Sequence, residues 1–165
     1  TADWYTDQYK RWHEMGHEAL RVAAHLDSTD GNAAVAAFYT ALGTQGHVKG
    51  RRDDFAASTE AFVSECLGLA GLDKAMVRSA FDDSLDARIE SDTALALERT
   101  GRDVGTPILT FAPGSSKEGS FFGPVIARIP RGDEALRLWD SVEVLATTPG
   151  VAELKRSLRA TPVFD

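Results

Sequence analysis

The chain reads as α/β, with a helical segment over residues 1–101 and a strand–turn–strand–helix module over residues 102–165. Three observations predict this. Apolar residues recur at three-to-four spacing through the first hundred positions, the period of an amphipathic helix. After Gly101 the pattern changes to short apolar runs of the kind that pair as strands. Gly105-Thr106-Pro107 stands at the change-over, where a proline ends helical structure and opens an extended run.

The elements follow in order. Tyr5, Tyr9, Trp12, Ala19, Leu20, Ala23 and Leu26 mark one long helix, closed by the turn-rich residues 27–31. Asn32 is placed to cap a second helix over residues 33–42, and Gly43 and Gly46 are expected to break it. Asp53 or Asp54 caps a third helix carrying Phe55, Phe62, Val63, Cys66 and Leu67, which closes near Gly71. Asp73 opens a short fourth helix through Phe81, and residues 84–99 form a fifth, ended by Gly101. Short linkers make this an antiparallel helical subdomain. Residues 108–112 form the first strand, 113–119 a turn-rich loop, and 121–129 a second strand interrupted at Gly123-Pro124. A helix from Gly132 carries Leu136, Leu138, Trp139, Val142 and Leu145, and Pro149 begins a last one through Leu158.

A lone two-stranded hairpin is marginal in water, and residues 108–112 are apolar enough to need a neighbour on both edges. No other convincing strand precedes them. The sequence therefore predicts a partner strand from elsewhere, or pairing of this edge with a second chain, a homodimer included.

Composition limits the function. A chain of 165 residues can bury roughly 70% of its unfolded surface. A formal net charge of −7 excludes a phosphate-binding surface of clustered Lys and Arg, so no nucleic-acid partner is expected. Cys66 is the single cysteine, which precludes an internal disulfide and makes a reducing, cytoplasmic setting the default. No apolar run approaches the roughly 20 residues of a membrane span, and no signal-peptide pattern opens the chain.

Several segments together resemble the DsbA-type thioredoxin-like oxidoreductases, and in particular the mycothiol-dependent, actinobacterial-type reductase branch. They are Tyr39-Thr-Ala-Leu-Gly with His47, Asp103-Val-Gly-Thr-Pro, Phe121-Phe-Gly-Pro-Val, Ile129-Pro-Arg-Gly-Asp-Glu-Ala, Leu138-Trp-Asp, Glu153-Leu-Lys-Arg and Pro162-Val-Phe-Asp165. Gln8-Tyr9 and Arg21-Val22-Ala23 extend the likeness to the start, while residues 84–100 depart in length. The resemblance implies a thioredoxin-like fold in which residues 1–101 are a helical insertion, or cap, and 102–165 the C-terminal half of the main domain. It implies a cis bond at Thr106-Pro107, a geometry found in only about 5–6% of X-Pro bonds. It implies thiol–disulfide exchange with a low-molecular-weight thiol, mycothiol or glutathione, as cosubstrate and with no bound cofactor. Thr106 and Pro107 would face the reactive sulfur, Thr106 through its backbone, and Tyr9 and His47 would line the substrate cleft.

In that family a β-α-β unit bearing Cys-x-x-Cys precedes the insertion. No such motif occurs in these residues, and a β-α-β unit needs about 30 of them. The expectation is an N-terminal truncation, with the chain alone inactive in redox chemistry. A glutathione-type isomerase of the same superfamily and a non-catalytic binding module are the alternatives that the resemblance leaves open.

One motif competes. His13-Glu14-Met15-Gly16-His17 is a His-Glu-x-x-His, which on a helix sets two imidazoles on one face for zinc and a glutamate to activate water. A metallopeptidase needs a third ligand. His25 lies two turns further along the same helix, and nothing singles out Glu60 or Glu65. A solvated helix face is the simpler account. Cys66, on an apolar stripe, reads as a buried structural thiol, and His47 equally as a turn residue.

Overall fold

A computed structural model describes residues 6–158 and 160–164. It divides into two units, Thr1–Asp92 and Thr93–Asp165. In the first, helix α1 spans Asp7–Thr29, and Thr6 caps it by accepting a hydrogen bond from the Tyr9 N–H at 3.2 Å. Tyr5, expected to begin the helical stripe, lies outside the described residues. Met15, Ala19, Val22 and Leu26 form the buried stripe, one residue per turn.

Helix α2 spans Asn32–Gly43, and its cap is Gly31 rather than Asn32. At φ 79° Gly31 holds a left-handed conformation open to glycine, and Asn32 is already helical. Gly43 and Gly46 do not break the helix. It widens instead into a π turn, Thr44–Val48, in which the Lys49 N–H bonds the Thr44 carbonyl at 2.9 Å. Glycine costs only about 1 kcal/mol inside a helix. The wide turn also buries Gln45, whose Oε1 accepts from Arg51 Nη1 at 2.9 Å.

The expected third helix is two, α3 at Arg52–Ala57 and α4 at Thr59–Leu69. Ser58 separates them: it is extended at φ −154°, and its hydroxyl accepts from the Ala61 N–H at 3.2 Å to cap α4. Arg51, not Asp53 or Asp54, holds the cap position of α3, and both aspartates sit in its first turn, where the helix dipole favours them. Gly71, at φ 74°, follows the end of α4. Residues 74–81 are 3-10 helix capped by Asp73, and a shorter 3-10 turn over 83–85 leads into α5, Asp86–Thr100. Every member of the buried core of this unit lies between Met15 and Ala80, with Phe38, Leu26, Leu67, Val22, Val63 and Cys66 the largest of the fully enclosed side chains. Phe55 and Phe62 stack at 4.8 Å.

The second unit is built on a hairpin of β1, Ile108–Phe111, and β2, Gly119–Phe122, antiparallel with Ile108 opposite Phe122 and Phe111 opposite Gly119. β2 begins two residues before its expected start and ends at Phe122, not at Ile129. The chain turns at Gly123-Pro124, where the peptide is cis and proline offers no N–H to a ladder. Beyond it, Val163 N–H reaches the Ala127 carbonyl at 2.7 Å beside an isolated bridge between Arg128 and Val163. Helix α6, Gly132–Thr147, packs on the hairpin, its Trp139 ring 5.1 Å from Phe111.

The helix expected from Pro149 does not form: residues 151–158 carry no helix. A ten-residue helix needs tertiary packing to persist, and Leu154 and Leu158 are exposed at 76% and 89%. Among the described residues the sheet has two strands, so β1 has β2 on one edge only. No helix among the described residues is long and apolar enough to cross a membrane.

Candidate functional site

Thr106 and Pro107 stand at the start of β1, both exposed, and the bond between them is cis. The Pro107 carbonyl accepts the Gly123 N–H at 2.8 Å, tying the start of β1 to the end of β2. The hairpin thereby fixes Thr106-Pro107 beside Gly123-Pro124. Below it, Thr110 and Ser120 hydroxyls share a hydrogen bond of 2.9 Å across the strands. Phe111 turns the other way, into the contact with α6.

Tyr9 and His47 belong to the first unit. Tyr9, half-buried, lies in the opening turn of α1 with its ring 4.6 Å from that of His13. It helps line an open depression shared by Trp12, His13, His17, Arg21 and Arg52, in which the Arg52 guanidinium lies 4.4 Å over the Trp12 ring. His47 is exposed in the π turn and is not among the residues that line this depression. Single wide turns of this kind are frequent at functional sites. Gly43, just before the turn, and Gly46, within it, were the sequence signal, and they read as helix breakers.

His13 and His17 do fall on one helix, four residues apart, but they are differently engaged. His17 Nε2 lies 2.8 Å from Asp86 Oδ1, and the same carboxylate receives Arg21 Nε and Nη2, each at 2.7 Å. The Arg21 fork and the His17 ring hold the Asp86 carboxyl well below the usual carboxylate range. His13 is exposed and meets Tyr9. Glu14 is exposed, with an oxygen 3.6 Å from Arg11 Nη1. Among the described residues no group of three or more His, Cys, Asp or Glu is arranged to hold a metal. Helical spacing brought the imidazoles to one face; the fold then directed His17 to a carboxylate.

Cys66 is fully buried in α4, and burial pushes its thiol up to about 11. At neutral pH it is a protonated core side chain. Two polar hubs had no sequence signature. Arg21–Asp86 is one. Arg51 is the other: it donates to Glu65, Gln45 and Asp54 and lies 5.3 Å over the Phe62 ring, and the Glu65 and Asp54 carboxylates raise its pKa. Arg21 and Asp86 stand 65 positions apart, and Arg51 and Glu65 sit 14 apart on different elements, which the pattern within one element cannot show.

Residues 3–156 match the Rv2466c-like family, described as mycothiol-dependent nitroreductase Rv2466c. The chain belongs to this family. The matched span contains Tyr9, His47, Thr106 and Pro107, and the family is one of oxidoreductases that depend on a small thiol.

Proposed function

We propose that the protein is a thiol-dependent oxidoreductase that uses mycothiol, or a similar low-molecular-weight thiol such as glutathione, to reduce a disulfide or a nitro-type electron acceptor. The observation that carries this reading is the family match over nearly the whole chain, residues 3–156. In this reading residues 1–101 are a helical cap, and 102–165 are the C-terminal half of a DsbA-type thioredoxin-like domain. Thr106 offers backbone hydrogen bonds to a bound thiol. Pro107, having no N–H, keeps a competing donor away from the sulfur. Tyr9 and His47 contribute from the cap.

The nucleophile is the point on which the residues themselves speak. Thiol–disulfide exchange requires an accessible thiolate, and the single cysteine here is enclosed and protonated. The reading therefore assigns the reactive Cys-x-x-Cys to polypeptide outside these 165 residues. Exchange then balances simply: two molecules of small thiol are oxidised to their disulfide while one substrate disulfide becomes two thiols.

The test compares two proteins in an assay with mycothiol and DTNB or a nitroaromatic. The 165-residue chain alone should show no turnover above the thiol background. The gene product with its upstream-encoded residues should turn over and lose activity when either cysteine of its Cys-x-x-Cys is changed to serine. Turnover by the 165-residue chain that disappears in Cys66→Ser would overturn the assignment.

A further inference from the structure

The helix that leads from the cap toward Thr106, α5, is held unlike any other. None of its residues is buried, and even Ile89, Ala96 and Leu97 are only half-buried. Elsewhere in the first unit the long helices each bury a stripe, as α1 does with Met15, Ala19, Val22 and Leu26. What fastens α5 is charge. At its N-terminal end Asp86 takes the Arg21 fork at 2.7 Å and His17 at 2.8 Å, and Arg88 reaches Asp27 of α1 at 3.1 Å. At its C-terminal end Arg99 Nε lies 3.0 Å from Glu118, whose other oxygen accepts the Gly114 N–H within the β1–β2 loop. The Asp86 latch lies within the first unit and the Arg99 latch within the second.

A 15-residue helix is at the margin of stability by itself, so an unburied one depends on such fastenings. Ion pairs weaken with salt, less where they are half-buried, as Arg21–Asp86 and Arg99–Glu118 are, than where they are fully exposed. Hydrophobic stripes do not weaken in this way. The two kinds of attachment can therefore be told apart by ionic strength.

We propose that α5 is a strap held at its two ends by ion pairs, each end releasable separately while the buried core of the first unit stays folded. Release of the C-terminal end loosens the run from Gly101 to Gly105, because α5 buries no side chain that would anchor it. The inference does not depend on which thiol the protein uses.

Amide hydrogen exchange on the protein, read by peptide, tests it with α4 as internal reference. Asp86→Asn should speed exchange in residues 86–92 by about three- to tenfold, and Glu118→Gln should do the same for 93–100. Arg21→Lys, which keeps the charge and loses the fork, should fall between wild type and Asp86→Asn. Raising NaCl from about 0.05 to about 1 M should speed both halves in the wild type and leave residues 59–69 unchanged. An α5 that is insensitive to salt and to all three substitutions overturns the proposal. So does an α5 whose two halves move only together, or only with α4. None of these readouts uses catalytic turnover, so they leave the proposed activity to stand or fall separately.

Discussion

Asp86 is a residue whose surroundings change its chemistry. Its carboxyl is depressed below the ordinary range first by the Arg21 hydrogen bonds, against a desolvation cost, and then by His17. A carboxylate with a lowered folded pKa contributes stability above its unfolded value, near 3.9, and loses it as pH falls through the folded one. The difference in urea midpoint between wild type and Asp86→Asn should thus shrink as pH falls below about 4; a difference that keeps growing below that pH would contradict the pairing. Cys66 behaves in the opposite sense. Its raised thiol favours the folded state below the unfolded pKa near 8.5, and that advantage is lost as pH rises toward about 11. In the native protein at pH 8 Cys66 should react with DTNB only as fast as the chain unfolds, and at once in urea. Ala112, after β1, holds φ 47°, a left-handed conformation costly for a side chain with a Cβ. Ala112→Gly should raise stability by about 0.5–1 kcal/mol in chemical denaturation, where a loss would show that the Ala112 methyl packs usefully.

Among the elements, the hairpin and α6 depend on an approach that only glycine permits. A Cβ at Gly119 would meet the Ala146 carbonyl oxygen, lie 2.7 Å from its carbon and 2.9 Å from Thr147 Cα. Those are backbone atoms and cannot swing aside. Gly119→Ala should cost about 1–3 kcal/mol and expose the amides of 108–111 and 119–122 to exchange, with α4 unaffected. Sequence pattern alone read this glycine as part of a turn. It likewise joined α3 to α4 across Ser58, because the apolar spacing of Phe55, Phe62 and Cys66 continues through a break that a single hydroxyl caps. The helix expected after Pro149 failed for the converse reason: its apolar residues had correct spacing but nothing to pack against.

At the scale of the whole molecule, burial is unevenly shared. The first unit encloses thirteen residues in one core, whereas Phe111 and Val142 are the buried hydrophobics of the second among the described residues. Leu26→Ala, at the centre of that core, should cost about 2–5 kcal/mol and accelerate exchange throughout α1, α2 and α4. Exposed apolar side chains concentrate in the second unit, among them Val125, Ile126, Leu136, Trp139 and Val144, alongside a β1 strand bonded on one edge. A hairpin so poorly covered is marginal by itself. That shortage was legible in the sequence, as an apolar strand with a neighbour for one edge and no other convincing strand among these residues for the second.

The sequence by itself determined most of the helices and the two strands of the hairpin, though not all their bounds, together with the core stripes of α1 and α4, the burial of Cys66, the position of Thr106-Pro107 and the membership implied by its surrounding motifs. Those properties are local, or repeat with the period of one element. The structure alone decided that His17 joins Asp86 and Arg21, that Gln45 sits inside a π turn, that Gly119 touches α6, and that charge fastens α5. Each of these joins residues distant in the chain, or rests on a close backbone approach. Such contacts come from the packing of elements, and periodicity within one element carries no record of its neighbour.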